Sequence, residues 1–307
     1  MISRQILLLN GNDIDRDLIY PVLYQNVEVH SSKFVYMPAN ELIMFDYKPV
    51  IIALFVGFHI AEILTRTFWA SGKVRRDDIY IEIIGTVVFM AIAVPFIFYG
   101  APVVVEWAVP GSANAWAAFL WWQMLLILLF VDEGLHYWWH RACHEVPLLY
   151  NLHRAHHSCQ YMSVRLAYRN NIFYFLLMPS VWASAALIHL GFGPVYAFYI
   201  IFKMLINFGS HSPLRWDSWM YDKNFLRKPL WLLERIITTP AAHSAHHGLA
   251  KQDGITHYKG NYANLLFLWD VVFGTAKLAR RYPENFGIEN IEPKSWKHEM
   301  FWPIWRD

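Results

Sequence analysis

A chain with several unbroken apolar runs of about twenty residues has few folds open to it. Lipid satisfies no backbone hydrogen bond, and a helix needs about 20 residues to cross a hydrocarbon core of about 30 Å. Runs of this kind occupy 49–69, 79–100, 116 to about 139, and 172–190. A shorter run, 194–208, contains Lys203 and follows a break at Gly191 and Pro194. The last two runs predict a helical hairpin whose second arm is tilted or partly inserted. Composition agrees, since 56% of the 307 residues are hydrophobic and only 16% are charged. Soluble domains sit nearer 45–50% and about 25%. With 17% aromatics the chain is no disordered segment, and a formal charge of +2 without a long basic run argues against nucleic acid. The apolar stretch 6–9 is too short for a signal-peptide core, so no cleaved leader is expected.

Charged loops orient the runs. Arg66, at the end of the first run, and Lys73, Arg75 and Arg76 mark the loop between the first two, and none of the residues 101–115 is Lys or Arg. Arg141, Arg154, Arg165 and Arg169 follow the third. The N-terminus is therefore expected outside, with the residues after the third run, the hairpin excepted, in the cytosol. From Ser212 onward the sequence reads as a cytosolic cap with aromatic anchors such as Trp216, Trp219 and Trp231. Cys143 and Cys159 read as reduced, apolar fillers.

Fifteen histidines stand out in this background, eight of them in three clusters. His140 and His144 form an HxxxH pair, with His136 one turn earlier. His153, His156 and His157 form an HxxHH triple, and His243, His246 and His247 repeat it. With 15 His in 307 residues, about 0.03 such triples are expected by chance. Spacings of three and four set imidazoles on one helix face, where they converge on a metal. Eight imidazoles exceed the four to six positions of one ion and suit two. Two irons at a lipid boundary point to activation of O2 against an unactivated C–H bond, with zinc as a substitute in the same donors. An apolar cavity would admit an acyl chain or sterol from the bilayer.

The pattern His140-Arg-x-x-His144-Glu-x-Pro, with His153-x-x-His156-His157-Ser, resembles the fatty acid hydroxylase/sterol desaturase superfamily of integral-membrane di-iron oxygenases. So do Thr239-Pro240-Ala-Ala-His243-x-x-His246-His247-Gly248, Asn261-Tyr262-Ala263 and Trp269-Asp270-x-x-Phe273-Gly274-Thr275. Thr239-Pro240 and His144-Glu145 look closest to its alkylglycerol monooxygenase and bacterial sterol desaturase-like branches. The likeness runs from about Asp132 to Thr275. The chain departs from it in Ala263 where Gly is usual, in a longer 249–259 link, and in His136 where an aromatic is common. The resemblance implies a hydroxylase, or a desaturase, acting on a fatty acyl group, glyceryl ether or sterol in a bacterial inner membrane or the endoplasmic reticulum.

His211 is expected as a further ligand, because it follows the hairpin's second arm back to the cytosolic face, where the family tends to carry His-Ser or His-Thr. His189 sits at the opposite face, roughly 25 Å away at about 1.5 Å per residue. Glu133, Asp132 and Glu145 are candidate carboxylates orienting the ligands. Asp270 and Trp269 read as supports of the cap. His59 and Glu62 read as inward-facing structural polarity, and His30, His257 and His298 as surface residues. No nicotinamide, flavin or haem motif is evident, so an external donor of the cytochrome b5 or ferredoxin type is expected. A zinc peptidase would need His-Glu-x-x-His, which Val146-Pro147-Leu148 after Glu145 does not supply. A His-ligated electron-transfer protein would set isolated histidines inside the spans, not clusters at their edge. The expected architecture is all-α: about four spans and a half-span bearing a cytosolic helical cap. Residues 1–48 form an extracytoplasmic segment, 49–275 the oxygenase domain and 276–307 a cytosolic tail.

Overall fold

The computed structural model describes residues 45–69 and 72–307. The run 6–9, His30 and all but the last few residues of the expected segment 1–48 lie outside the described residues. Within them the fold is helical, with two isolated β-bridges, Ile237 to Leu266 and Gly248 to Phe286, and no strand.

Helix α1, Lys48–Leu64, starts with Pro49 in its first turn, where the missing N–H costs nothing. It ends earlier than the apolar run does. Thr67 and Phe68 turn their N–H groups back to the Glu62 carbonyl, and Arg66 adopts φ 60°. Helices α2, Arg76–Val88, and α3, Val94–Ala108, join through a π-helical turn, Phe89–Ala93. Helix α4, Trp121–Glu145, runs on to α5, Pro147–His157, at a corner set by Pro147.

The run expected at 172–190 is not one helix. Pro179 offers no donor and excludes the helical region for Met178, which sits at ψ 110°. Helix α6, Ile172–Leu176, therefore stops before α7, Pro179–Leu187. Gly191, at φ 114°, then reverses the chain, a conformation an L side chain resists. A Cβ there would also lie 2.9 Å from the Ala117 nitrogen. Helix α8, Gly193–His211, is the returning arm. Tyr174 stacks on His153, and His211 meets His156, so both arms end at the same place.

Lys203 does not interrupt this arm. Its ammonium lies 2.8 Å from Asp132 Oδ2 and 2.9 Å from Glu133 Oε1, both on α4 and all buried. The Tyr199 hydroxyl shares its single proton between both carboxylates, 2.5 Å from Asp132 Oδ2 and 2.6 Å from Glu133 Oε1. A charge matched inside the bundle leaves the helix free to continue, and α8 runs its full 19 residues. Glu62 has an equivalent role on α1. Its carboxylate accepts from Ser163 Oγ, the Val164 N–H and Ser212 Oγ, tying α1 to the segments around the histidines. His59 Nδ1 donates within its own helix, to the Phe55 carbonyl at 2.8 Å.

Two helical stretches, 76–108 and 179–211, are long and apolar enough to cross a membrane by length and composition, the second folded back at Gly191. Ile52, Ile60, Val87, Phe96, Val103 and Phe130 stand exposed on the outer faces. The cap is built of short helices: α9, Ser218–Tyr221; α10, Arg227–Ile236; α11, Pro240–His246; α12, Leu268–Val272; and α13, Trp296–Phe301. The stretch expected as a tail, 276–307, packs back on α5. Glu299 pairs with Arg154 at 2.6 Å, and the Asn171 amide donates to the carbonyls of Glu299 and Trp302.

Candidate metal centre

Short local rules set each ligand helix. On α4, His140 and His144 are one turn apart; on α5, His153, His156 and His157 share one face. Helix α11 is capped by the Thr239 hydroxyl, which accepts from the Ala242 N–H, and starts on Pro240. Asp217 accepts the Ala241 N–H and so pins the same end.

Packing these elements together sorts nine histidines into two buried groups. His140, His144, His153, His157 and His246 form one, and His156, His211, His243 and His247 the other, with ligand atoms within 4.8 Å of one another in each group. Burial in apolar surroundings depresses the pKa of His153, His156, His157, His243, His246 and His247 well below the ordinary imidazole value, so these rings are neutral donors.

The hydrogen bonds show what these donors lack. His140 Nδ1 lies 2.6 Å from the Tyr262 carbonyl, His156 Nδ1 3.0 Å from that of Leu166, His211 Nδ1 2.8 Å from that of Asn207 and His246 Nδ1 2.7 Å from that of Gly260. His153 Nδ1 lies 2.8 Å from Asn170 Oδ1. An oxygen of this kind only accepts, so each Nδ1 carries the proton and each Nε2 a bare lone pair. Yet Nε2 atoms face one another at 2.9 Å between His140 and His153, 3.1 Å between His140 and His246, and 3.3 Å between His156 and His211. Lone pairs so close, with no proton between them, repel one another and are suited to share a cation. Nitrogen-only donors suit iron, and zinc equally.

Other candidates fall elsewhere. His136 stands outside both groups, with its ring centroid 6.0 Å from that of His140, and lines the adjoining cavity. Asp132 and Glu133 touch no imidazole, because Lys203 and Tyr199 occupy them. Glu145 acts at one remove: it accepts from the Tyr262 hydroxyl at 3.4 Å, and the carbonyl of the same residue holds His140. Asp270 accepts from the N–H groups of Tyr262 and Ala263 and from Thr275 Oγ1, fixing the loop that supplies that carbonyl. Cys143 and Cys159 are buried, free and outside both groups. His257 is not a surface residue; it is half-buried, with Nε2 at 3.1 Å from the Thr275 carbonyl. His298 is partly exposed and accepts from the Asp307 N–H. His189 lies with Glu106 and Ser112, away from the groups.

Sequence reasoning missed the groups that orient the rings. Four are backbone carbonyls, which leave no mark in residue type. Asn170 is a side chain, and its polar stretch Arg169-Asn170-Asn171 beside an apolar run was the available signal. Asn170→Ala is expected to weaken metal retention by about 10–100-fold, read as loss to a competing chelator.

A cavity of about 660 Å³ opens over the groups. His140, His153, His156, His211 and His243 form its floor, and Phe89, Val94, Phe98, Met178 and Val181 its apolar walls.

Residues 124–275, about half of the chain, match the fatty acid hydroxylase family model. Alkylglycerol monooxygenase of Danio rerio is 34% identical over 160 residues, 52% of this chain and 31% of that protein. The Homo sapiens alkylglycerol monooxygenase is 28% identical over 195 residues, 60% of this chain and 38% of its own length. A very-long-chain aldehyde decarbonylase of Oryza sativa subsp. japonica is 28% identical over 167 residues, 50% of this chain and 23% of that protein. The chain thus spans between 23% and 38% of the length of these relatives. No solved structure matches.

Proposed function

From the premise that this chain belongs to the fatty acid hydroxylase/sterol desaturase superfamily, we propose that it is an O2-dependent di-iron hydroxylase of a membrane lipid. One observation carries the reading: two buried all-imidazole groups floor an apolar cavity large enough for a lipid chain. Two iron ions held there supply the O2 activation that side chains cannot.

The chain's own residues do the rest. Carbonyls and Asn170 hold each Nδ1 proton, so the opposite nitrogens are presented to metal in one tautomer. Phe89, Phe98, Met178 and Val181 strip water from the entering chain and keep its C–H bonds beside the floor. His136, on the wall next to His140, faces the substrate space. Helices α1, α4, the 76–108 stretch and the two arms α7 and α8 form the membrane bundle, with the histidines on the cytosolic side as the loop charges require. Bacterial inner membrane and endoplasmic reticulum both fit this arrangement. Electrons come from a separate donor of the cytochrome b5 or ferredoxin type. The relatives' names favour a glyceryl ether among the candidate lipids, which also include fatty acyl groups and sterols.

Lipid profiles of a host with and without the gene test this. Hydroxylation appears as lipids gaining one oxygen, desaturation as lipids losing two hydrogens. An unchanged profile in cells holding metal-loaded protein would sink the lipid reading.

A further inference from the structure

A second cavity, of about 270 Å³, shares no lining residue with the first. Arg66, Lys73 and Arg215 line it, and among the described residues no Asp or Glu does. Among the described residues two carboxylates bond to lining side chains, and both are already engaged. Asp217 takes the hydroxyls of Tyr221 and Tyr282 and the Ala241 N–H, and Glu82 takes the Tyr161 hydroxyl and Arg165. Arg215 lies over the Tyr282 ring, its guanidinium carbon 4.4 Å from the ring centroid, so one of the three cations is held in place.

The floor of this basic cavity adjoins the second imidazole group. Ser244 follows His243 directly, and Phe286 precedes Gly287, whose N–H donates to the His247 carbonyl at 3.1 Å. His156, His211 and His243 of the same group face the apolar cavity instead. The second group therefore stands between an apolar space suited to lipid and a cationic depression open to water.

We propose that this basic cavity is the docking site of an acidic one-electron carrier protein that reduces the centre, a placement that rests on the hydroxylase reading above. Converting one C–H bond to C–OH with O2 consumes two electrons and two protons and leaves one water. Two carrier encounters supply the electrons, and each carrier departs oxidised. Redox encounters use small, charge-steered contacts, and a cationic patch raises the on-rate of an anionic partner by 10–1000-fold.

The test is charge reversal in the full chain, Arg66→Glu with Lys73→Glu and Arg215→Glu, using an acidic [2Fe–2S] ferredoxin as the probe. At low ionic strength its second-order rate of reducing the enzyme is expected to fall at least about tenfold and lose most of its salt dependence. Binding of the oxidised ferredoxin, followed by NMR line broadening, should weaken by a similar factor. Metal content should stay at the parent level, as should product from a single turnover after dithionite reduction and exposure to O2. Ferredoxin rates and binding insensitive to the reversals would overturn the docking site, as would a loss that appears equally in the dithionite-driven turnover. No product from the parent chain in that turnover is a separate failure, of the hydroxylase reading.

Discussion

Alanine at position 211 is expected to remove about one of two metal ions per chain and at least a hundredfold of turnover, whereas alanine at 189 changes neither. Both histidines belong to the same helical hairpin. His211 ends the returning arm with Nε2 at 2.9 Å from that of His243 and 3.3 Å from that of His156, inside a group of only four donors. Three imidazoles remain after its loss, and the vacated position opens to the cavity. His189, beside the reversal, instead meets Glu106 Oε2 at 3.1 Å and Ser112 Oγ at 3.2 Å. Metal analysis by plasma spectrometry on both purified variants is the measurement. A full metal complement in His211→Ala would take that residue out of the site, and metal loss in His189→Ala would contradict the hairpin.

The second large effect concerns stability. Lys203→Met leaves Asp132 and Glu133 buried without a cation, sharing the Tyr199 hydroxyl, with the Leu265 and Leu266 N–H groups on Glu133 alone. Breaking a buried ion pair by deleting one partner costs about 3–5 kcal/mol, because the remaining charge is uncompensated. For a chain of this size that corresponds to a melting temperature lower by about 10 °C. Adding Asp132→Asn and Glu133→Gln to Lys203→Met removes the stranded charges and should recover most of the loss. Thermal unfolding of the three proteins in detergent decides it. An unchanged melting temperature in Lys203→Met would mean that the carboxylates find another partner or take up protons at little cost.

The same three residues show where linear reading stops. Sequence alone presents Lys203 as an interruption of an apolar arm, and Asp132 and Glu133 as carboxylates one turn from His136 and two from His140. Neither description contains the contact between α4 and α8 that joins them, since the residues are 70 positions apart and only packing brings their charges within 3 Å. The run at 172–190 failed for a local reason, because Pro179 acts on the preceding residue and hydropathy alone does not register it.

What the sequence by itself determined was the chemistry available and its rough placement. Apolar runs of bilayer length demanded helices, and histidines three and four apart demanded shared helix faces, because both follow from periodicities of a single segment. His211 was within reach as well, since helical rise carries the arm's end back to the boxes. Only the tertiary structure decided which imidazoles form which group. His246 joins His140, His144, His153 and His157, while His243 and His247 of the same box join His156 and His211. Adjacent residues on a helix point about 100° apart, so a single triple faces two groups at once. Which centre each ring serves depends on the helices packed against it, and so do the carbonyls that fix its tautomer.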